Sequence, residues 1–350
     1  MADLPTLPNA LAAITVLALN GYVLLGGADF GGGVWDLFAS GPRRAAQRAL
    51  IAHAIGPIWE ANHVWLIVVI VLLFTCFPPA FAALATTLHI PLTLMLLGIV
   101  LRGSAFTFRA YGGEGDLVQA RWGVVFAVAS TATPVVLGMC LGPLAAGAVV
   151  LPGQGRGFVE VFVAPWLTPF ALGVGFLTLA LFAFLAAVYL TLESDDPALR
   201  EDFRRRALGA AAAVFVTAFG TLGLAVAGAP RMAAGLVRSV WSLPLHVAAG
   251  VAALTAIGAL WTRHFGTARV AAAAQVSLIL WGWAFAQYPY LVPETITIQA
   301  AAAPPVTLRL VAWVLLAGAV VLFPSLFYLF RVFKGSGAVA PGAARGGEHV

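Results

Sequence analysis

The chain has 350 residues, 61% hydrophobic and only 9% charged. A soluble protein carries about 25% charged residues, so an ordinary water-facing surface is excluded. The apolar residues fall in blocks of roughly 20, the length that crosses a bilayer as a helix. They run continuously instead of alternating, which excludes a β-barrel. The net charge of +5 sits on arginines dispersed between the blocks. That is the pattern of charges that set membrane topology, not of a nucleic-acid surface.

Nine spans are expected, at about 10–39, 58–76, 80–102, 122–150, 165–192, 207–228, 243–262, 270–290 and 307–331. The first polar stretch, MADLPTLPNA, has no positive charge, so no cleavable signal peptide is expected. Pro78-Pro79 is expected to turn the chain between the second and third spans. The longest loop should lie around 103–121, which leaves no room for a soluble domain. Residues 1–334 then form one membrane domain, and the small polar tail 335–350 is expected to be disordered.

Nine spans place the termini on opposite sides. Of the 19 Lys and Arg, fifteen then map to one side, among them Arg43, Arg44, Arg48, Arg102, Arg109 and Arg204. Four map to the other: Arg156, Arg231, Arg238 and Arg309. Positive residues favour the cytoplasm, so the N-terminus is expected outside and the C-terminus inside.

Ionisable groups within spans are costly and are functional candidates. Asp29 and Asp36 lie in the cytoplasmic half of span one, and Glu60 lies at the start of span two. Asp29 and Asp36 are seven residues apart and share a helix face, with Gly26 and Gly33 on the same stripe. Asp29 lies deeper by about 10 Å at 1.5 Å per residue and is favoured as lining a proton or ion path. Asp36 is favoured as part of a packing surface.

Span two opens with GPIWEANHVW, Gly56 to Trp65. Gly56-Pro57 suits a helix start, which would put Glu60 in a first turn where the helix dipole favours a carboxylate. His63 follows three residues later on the same face, and Trp59 and Trp65 flank both. A cap explains one acid. A proton relay explains Glu60, Asn62 and His63 together beside Asp29. The two alternatives are evenly weighted. His89 and His246 are lone span histidines, expected to bond within the bundle. Cys76 and Cys140 form no C-x-x-C and are expected to be buried thiols. No zinc, phosphate-loop or nucleophile motif occurs.

These residues resemble subunit II of the cytochrome bd-type quinol oxidases, nearly end to end. Asp29 and the glycines after it are similar to the family's first-helix motif. Pro57-x-Trp59-Glu60-x-Asn62-x-Val64-Trp65 is similar to its most distinctive one. Arg102, Phe106 and Arg109 fit an Arg-x-x-x-Phe-x-x-Arg pattern; Trp122 and Pro134 fit the fourth span. Tyr288-Pro289, Pro293, Pro324 and Arg331-Val332-Phe333 fit the end. The chain departs from the family at Gly26, where many members carry an aspartate, at Glu60, a frequent aspartate, and at His63, a common glutamine.

The resemblance implies an all-α, nine-helix protein of the bacterial cell (inner) membrane, built as two four-helix bundles plus a peripheral helix. It would pair with a haem-bearing subunit I, which holds the b and d haems and the quinol site. This chain would ligate no haem or metal and would not be catalytic alone. It would stabilise the quinol:oxygen oxidoreductase and contribute a cytoplasmic proton path to which Glu60, the acid of the Trp-acid-x-Asn motif, belongs. On the residues themselves, Glu60 is then expected as the main carrier, with Asp29 nearby and His63 and Asn62 tuning it. Some members also hold a structural quinone, and small accessory subunits occur. The rival from another class is a proton-coupled secondary transporter, since acids in glycine-broken helices suit one; a third alternative is a purely structural scaffold.

Overall fold

The computed structural model describes residues 6–111, 117–149 and 157–334. The side chains of 56–61, 110, 111, 119, 330 and 332–334 lie outside that description, as does the tail expected from residue 335. The helices in chain order are α1 (Leu7–Leu37), α2 (Arg44–Cys76), α3 (Pro78–Thr87), α4 (His89–Tyr111), α5 (Leu117–Ala146), α6 (Phe158–Phe162), α7 (Pro169–Leu190), α8 (Pro197–Gly228), α9 (Pro230–Arg238), α10 (Ser242–Trp261), α11 (Phe265–Gln287), α12 (Ile298–Ala301) and α13 (Pro305–Lys334). A short antiparallel hairpin, β1 (Tyr290–Val292) with β2 (Ile296–Thr297), lies between α11 and α12. Several starts follow capping rules. Pro169 and Pro197 open α7 and α8, where Thr168 and Asp196 accept from Ala171 N (3.1 Å) and Ala198 N (2.8 Å).

Among the described residues, α1, α4, α5, α7, α8, α10, α11 and α13 are each long and apolar enough to cross a membrane. A ninth span results if the apolar part of α2 from Asn62 is taken together with α3, a pair bent by 118°. Three expectations need correction. The third span is α4, beginning at His89 and not near residue 80; α3 takes up the sharp turn after Pro78-Pro79. The expected loop 103–121 is largely helix, because α4 runs to Tyr111 and α5 starts at Leu117. Gly56-Pro57 starts no helix. α2 runs unbroken from Arg44, so Glu60 stands deep inside it and the cap explanation for this acid falls. Inside a membrane a helix tolerates glycine and proline far better than in water.

The chain forms two units, Met1–Leu308 and Arg309–Val350. The second is described as far as Lys334 and consists of α13 from Arg309 on, an apolar helix with Pro324 inside it. The first contains two groups of four long helices. In one, α1 packs on α2 and α5, and α4 packs on α5; in the other, α7 pairs with α8, and α10 with α11. α7 also packs against both α1 and α5 and so joins the groups.

Small residues make these contacts close, as expected where lipid supplies no hydrophobic drive between helices. A Cβ on Gly31 would sit 2.0 Å from the Phe182 carbonyl oxygen, and one on Gly138 would sit 2.6 Å from the Gly175 Cα. The Trp35 indole donates to the Ala183 carbonyl at 2.8 Å across the same α1–α7 seam. Cys76 and Cys140 are free and buried.

Candidate functional site

The polar interior is organised by α1. Thr15, Tyr22, Asp29 and Asp36 follow one another at intervals of seven residues, and all four are buried. Seven residues are close to two turns, so the four lie along one slowly drifting stripe, roughly 10 Å apart. The sequence reading found the lower half of that stripe and missed Tyr22 and Thr15, which read as ordinary span residues until burial is known.

Asp29 is fully buried, and four helices meet on it. From α2, the Asn62 carboxamide donates to Asp29 Oδ2 at 2.7 Å. From α4, the Arg102 guanidinium donates to Asp29 Oδ1 and forms a buried ion pair with it. The same guanidinium donates to the Asp29 carbonyl at 3.2 Å and, through Nε, to Ser130 Oγ of α5 at 3.0 Å. It lies 4.8 Å over the Phe30 ring and 5.2 Å over that of Phe126. Ser130 can reach this point because Gly33 has no side chain: a Cβ there would sit 2.2 Å from both Ser130 Cβ and Oγ. An arginine in hydrocarbon is tolerated only with such partners. His63 lies within electrostatic reach of Asp29.

Asp36 repeats the arrangement seven residues on. It is also fully buried. Arg109 donates to its Oδ1 at 3.0 Å, Arg48 Nε stands 3.7 Å from Oδ2, and Arg48 Nη2 donates to the Asp36 carbonyl at 3.4 Å. The acid spacing on α1 is thus matched by Arg102 and Arg109 on α4. Both arginines were counted on the cytoplasmic side, Arg102 as the last residue of the expected third span and Arg109 in the loop expected after it. They belong to a helix, and Arg102 is only 2% exposed. Charge balance within the fold explains them, so they carry less weight as orientation signals.

Beyond Asp36 the polar stripe opens into a network at the α1–α2 turn. Arg43 pairs with Asp202 of α8 through two bonds, at 2.8 and 2.5 Å, and Gln47 donates to the same carboxylate at 2.8 Å. The Asp202 carboxylate holds the Arg43 guanidinium above its ordinary pKa. Arg206 donates to Gln47 Oε1 at 2.7 Å and lies over the rings of Trp35 and Phe203, at 5.6 and 5.1 Å.

The structure therefore brings Asp29, Asn62 and Arg102 into one cluster with Ser130, and Arg109 to Asp36. Trp65 packs on α1, where Gly21 leaves room for its ring: a Cβ would lie 2.9 Å from it. The side chains of Glu60, Trp59 and Pro57 fall outside the described residues. Among the described residues no three His, Cys, Asp or Glu side chains group as metal ligands. His89 and His246, on α4 and α10, each direct Nδ1 to the preceding turn, at Thr86 O (2.9 Å) and Ser242 O (2.7 Å).

Comparison with known proteins gives a consistent picture. The profile of the family "Cytochrome bd terminal oxidase subunit II" matches residues 7–333. In Bacillus subtilis (strain 168), a protein named cytochrome bd ubiquinol oxidase subunit 2 is 33% identical over 139 residues, 40% of this chain and 39% of that one. A second, named putative cytochrome bd menaquinol oxidase subunit II, is 23% identical over 347 residues, 93% of this chain and 95% of that one. The cytochrome bd-I ubiquinol oxidase subunit 2 of Escherichia coli (strain K12) is 25% identical over 181 residues, 50% of this chain and 46% of that one. The chain thus spans less than half of the first and third of these relatives and nearly all of the second. The fold matches a chain of the bd oxidase from Geobacillus thermodenitrificans with a TM-score of 0.78 at 22% identity, over 95% of this chain and 100% of that one.

Proposed function

Because the chain belongs to the cytochrome bd terminal oxidase subunit II family, we propose that it is the haem-free subunit of a quinol:oxygen oxidoreductase in the bacterial inner membrane. It stabilises a haem-bearing subunit I, which carries the b and d haems, and it leads protons from the cytoplasm towards the site of oxygen reduction. Its N-terminus lies outside and its C-terminus in the cytoplasm. Membership in this family replaces the transporter alternative.

One observation carries the proton role: Asp29 is wholly buried and is hydrogen-bonded to Asn62 of the Trp59-Glu60-x-Asn62 motif, 2.7 Å away. The bond joins the first-helix acid to the span-two motif. Oxygen reduction in the partner consumes protons, and moving them through low dielectric needs groups that keep charge compensated along the way. Glu60 is the entry carrier. Asn62 and His63 orient the passage, and Asp29 receives it. Arg102 supplies the compensating charge.

The test uses the assembled oxidase. Glu60→Gln, and Asp29→Asn combined with Arg102→Met so that no buried charge is stranded, should each leave the haem spectrum of the complex in place and slow quinol-driven oxygen uptake, by roughly 100-fold for a lost proton carrier. Undiminished turnover in an assembled Glu60→Gln complex sinks the proton role. A second role, the pure scaffold, is favoured by the two arginine–aspartate pairs that tie α4 to α1. For that role the same variants would lose the complex instead of its turnover.

A further inference from the structure

Tyr22 is a buried polar group that the proton path as described does not use. Its side chain is 1% exposed, and its hydroxyl has no hydrogen-bond partner among the described residues. The ring does not point away from Asp29. A Cβ placed on Gly26, one turn further along α1, would lie 3.5 Å from Tyr22 Cε2 and 3.7 Å from Cζ. One edge of the ring, from Cδ2 to Cζ, therefore lies over Gly26, on the stretch of α1 between Tyr22 and Asp29. The hydroxyl is within electrostatic reach of both Asp29 and Arg102. The Tyr22 ring belongs to a cluster with Phe30 and Phe182, against which Trp65, Leu66 and Leu137 also pack.

A second orphan stands on α2, the helix whose Trp65 and Leu66 pack against the cluster of Tyr22, Phe30 and Phe182. Asn62 uses its amide to hold Asp29, and its buried carboxamide oxygen has no hydrogen-bond partner among the described residues. Buried polar atoms left unsatisfied are rare and cost stability. Buried water is the usual solution where two or more polar partners converge.

We infer that the Tyr22 hydroxyl and the Asn62 carboxamide oxygen hold an internal water beside Asp29, and that Tyr22 is the positioning residue that extends the proton path past Asp29 along α1. The phenol needs no net charge for this. Its O–H bond re-forms with the incoming proton as its original proton leaves for the next water, so the hydroxyl ends as it began and no oxidant is involved. The inference rests on the proton-path function proposed above.

The experiment is Tyr22→Phe in the complete oxidase, with Glu60→Gln in parallel. The change removes one unpartnered oxygen, so a merely structural role predicts equal or higher thermal stability and unchanged turnover. The expected result is an assembled complex with unchanged haem spectrum and unchanged quinol KM. Its oxygen uptake should fall on the order of tenfold, with a larger solvent deuterium isotope effect. Parent-like turnover and isotope effect would overturn the inference. So would loss of the complex, which would show that the hydroxyl acts in assembly. If Glu60→Gln slows turnover and Tyr22→Phe does not, only the role of Tyr22 fails. If Glu60→Gln has no effect, the proton path fails and this inference with it.

Discussion

The two four-helix groups of the first unit solve the same packing problem with opposite chemistry. The group α7, α8, α10 and α11 is joined by a dry cluster of small and aliphatic residues, including Ala187, Ala207, Ala256, Ala268, Ala272, Leu185 and Leu260. The group α1, α2, α4 and α5 is joined through Asp29, Asn62, Arg102 and Ser130, with Asp36 and Arg109 behind them. A bundle in lipid does not need buried charge to hold together, and the second group is the control that shows it. The charges of the first group are therefore retained for something other than cohesion, either a proton path or a unique helix register.

The largest effect expected from breaking this contrast is at Arg102. Arg102→Met leaves Asp29 without its charge partner and should cost about 3–5 kcal/mol, seen as a collapse in yield and in the thermal midpoint of the purified complex. Adding Asp29→Asn removes the orphaned charge and should restore assembly, because a buried pair replaced as a whole is close to neutral. Turnover should stay low in the double variant. Recovered turnover would assign both residues to register alone.

Next come the glycines. Gly31→Ala puts a Cβ on the Phe182 carbonyl, a backbone atom that cannot step aside, and should cost roughly 1–3 kcal/mol. Gly209→Ala on α8 meets nothing within 4 Å. It should be neutral or stabilising by up to about 1 kcal/mol through helix propensity. Parallel thermal melts of the two variants check whether close approach is confined to the α1–α7 seam. The smallest effect belongs to the rim: Arg43, 46% exposed, pairs with Asp202, and Arg43→Gln should leave the melt within experimental error, since solvent screens such pairs.

Most of the membrane architecture was legible because length and hydropathy act locally. The errors arose where local signals meant something else. Gly56-Pro57 reads as a helix start in water, yet α2 continues through it. The apolar run after Cys76 gives no sign that the first ten residues after the turn form α3 and only then the span. Asp29 and Asn62 were legible as a neighbourhood, since acids and amides in adjacent spans stand out. Arg102 was not, because an arginine at the end of an apolar block looks like a topology signal, and its partner lies 73 residues away. Tyr22 carried no signal beyond its seven-residue spacing from Asp29, which became visible only once the stripe was seen to be buried.

The matched spacing of Asp29 and Asp36 with Arg102 and Arg109 also constrains how the protein is made. An arginine or aspartate at the centre of a lone helix costs roughly 2.5–3.5 kcal/mol to insert, and each pair spans 73 residues of sequence. At about 5–20 residues per second of synthesis, α1 must carry its unneutralised acids for several seconds before α4 emerges. α1 and α4 are therefore expected to leave the insertion machinery together, as one electrically neutral package, with α2 and α3 held between them.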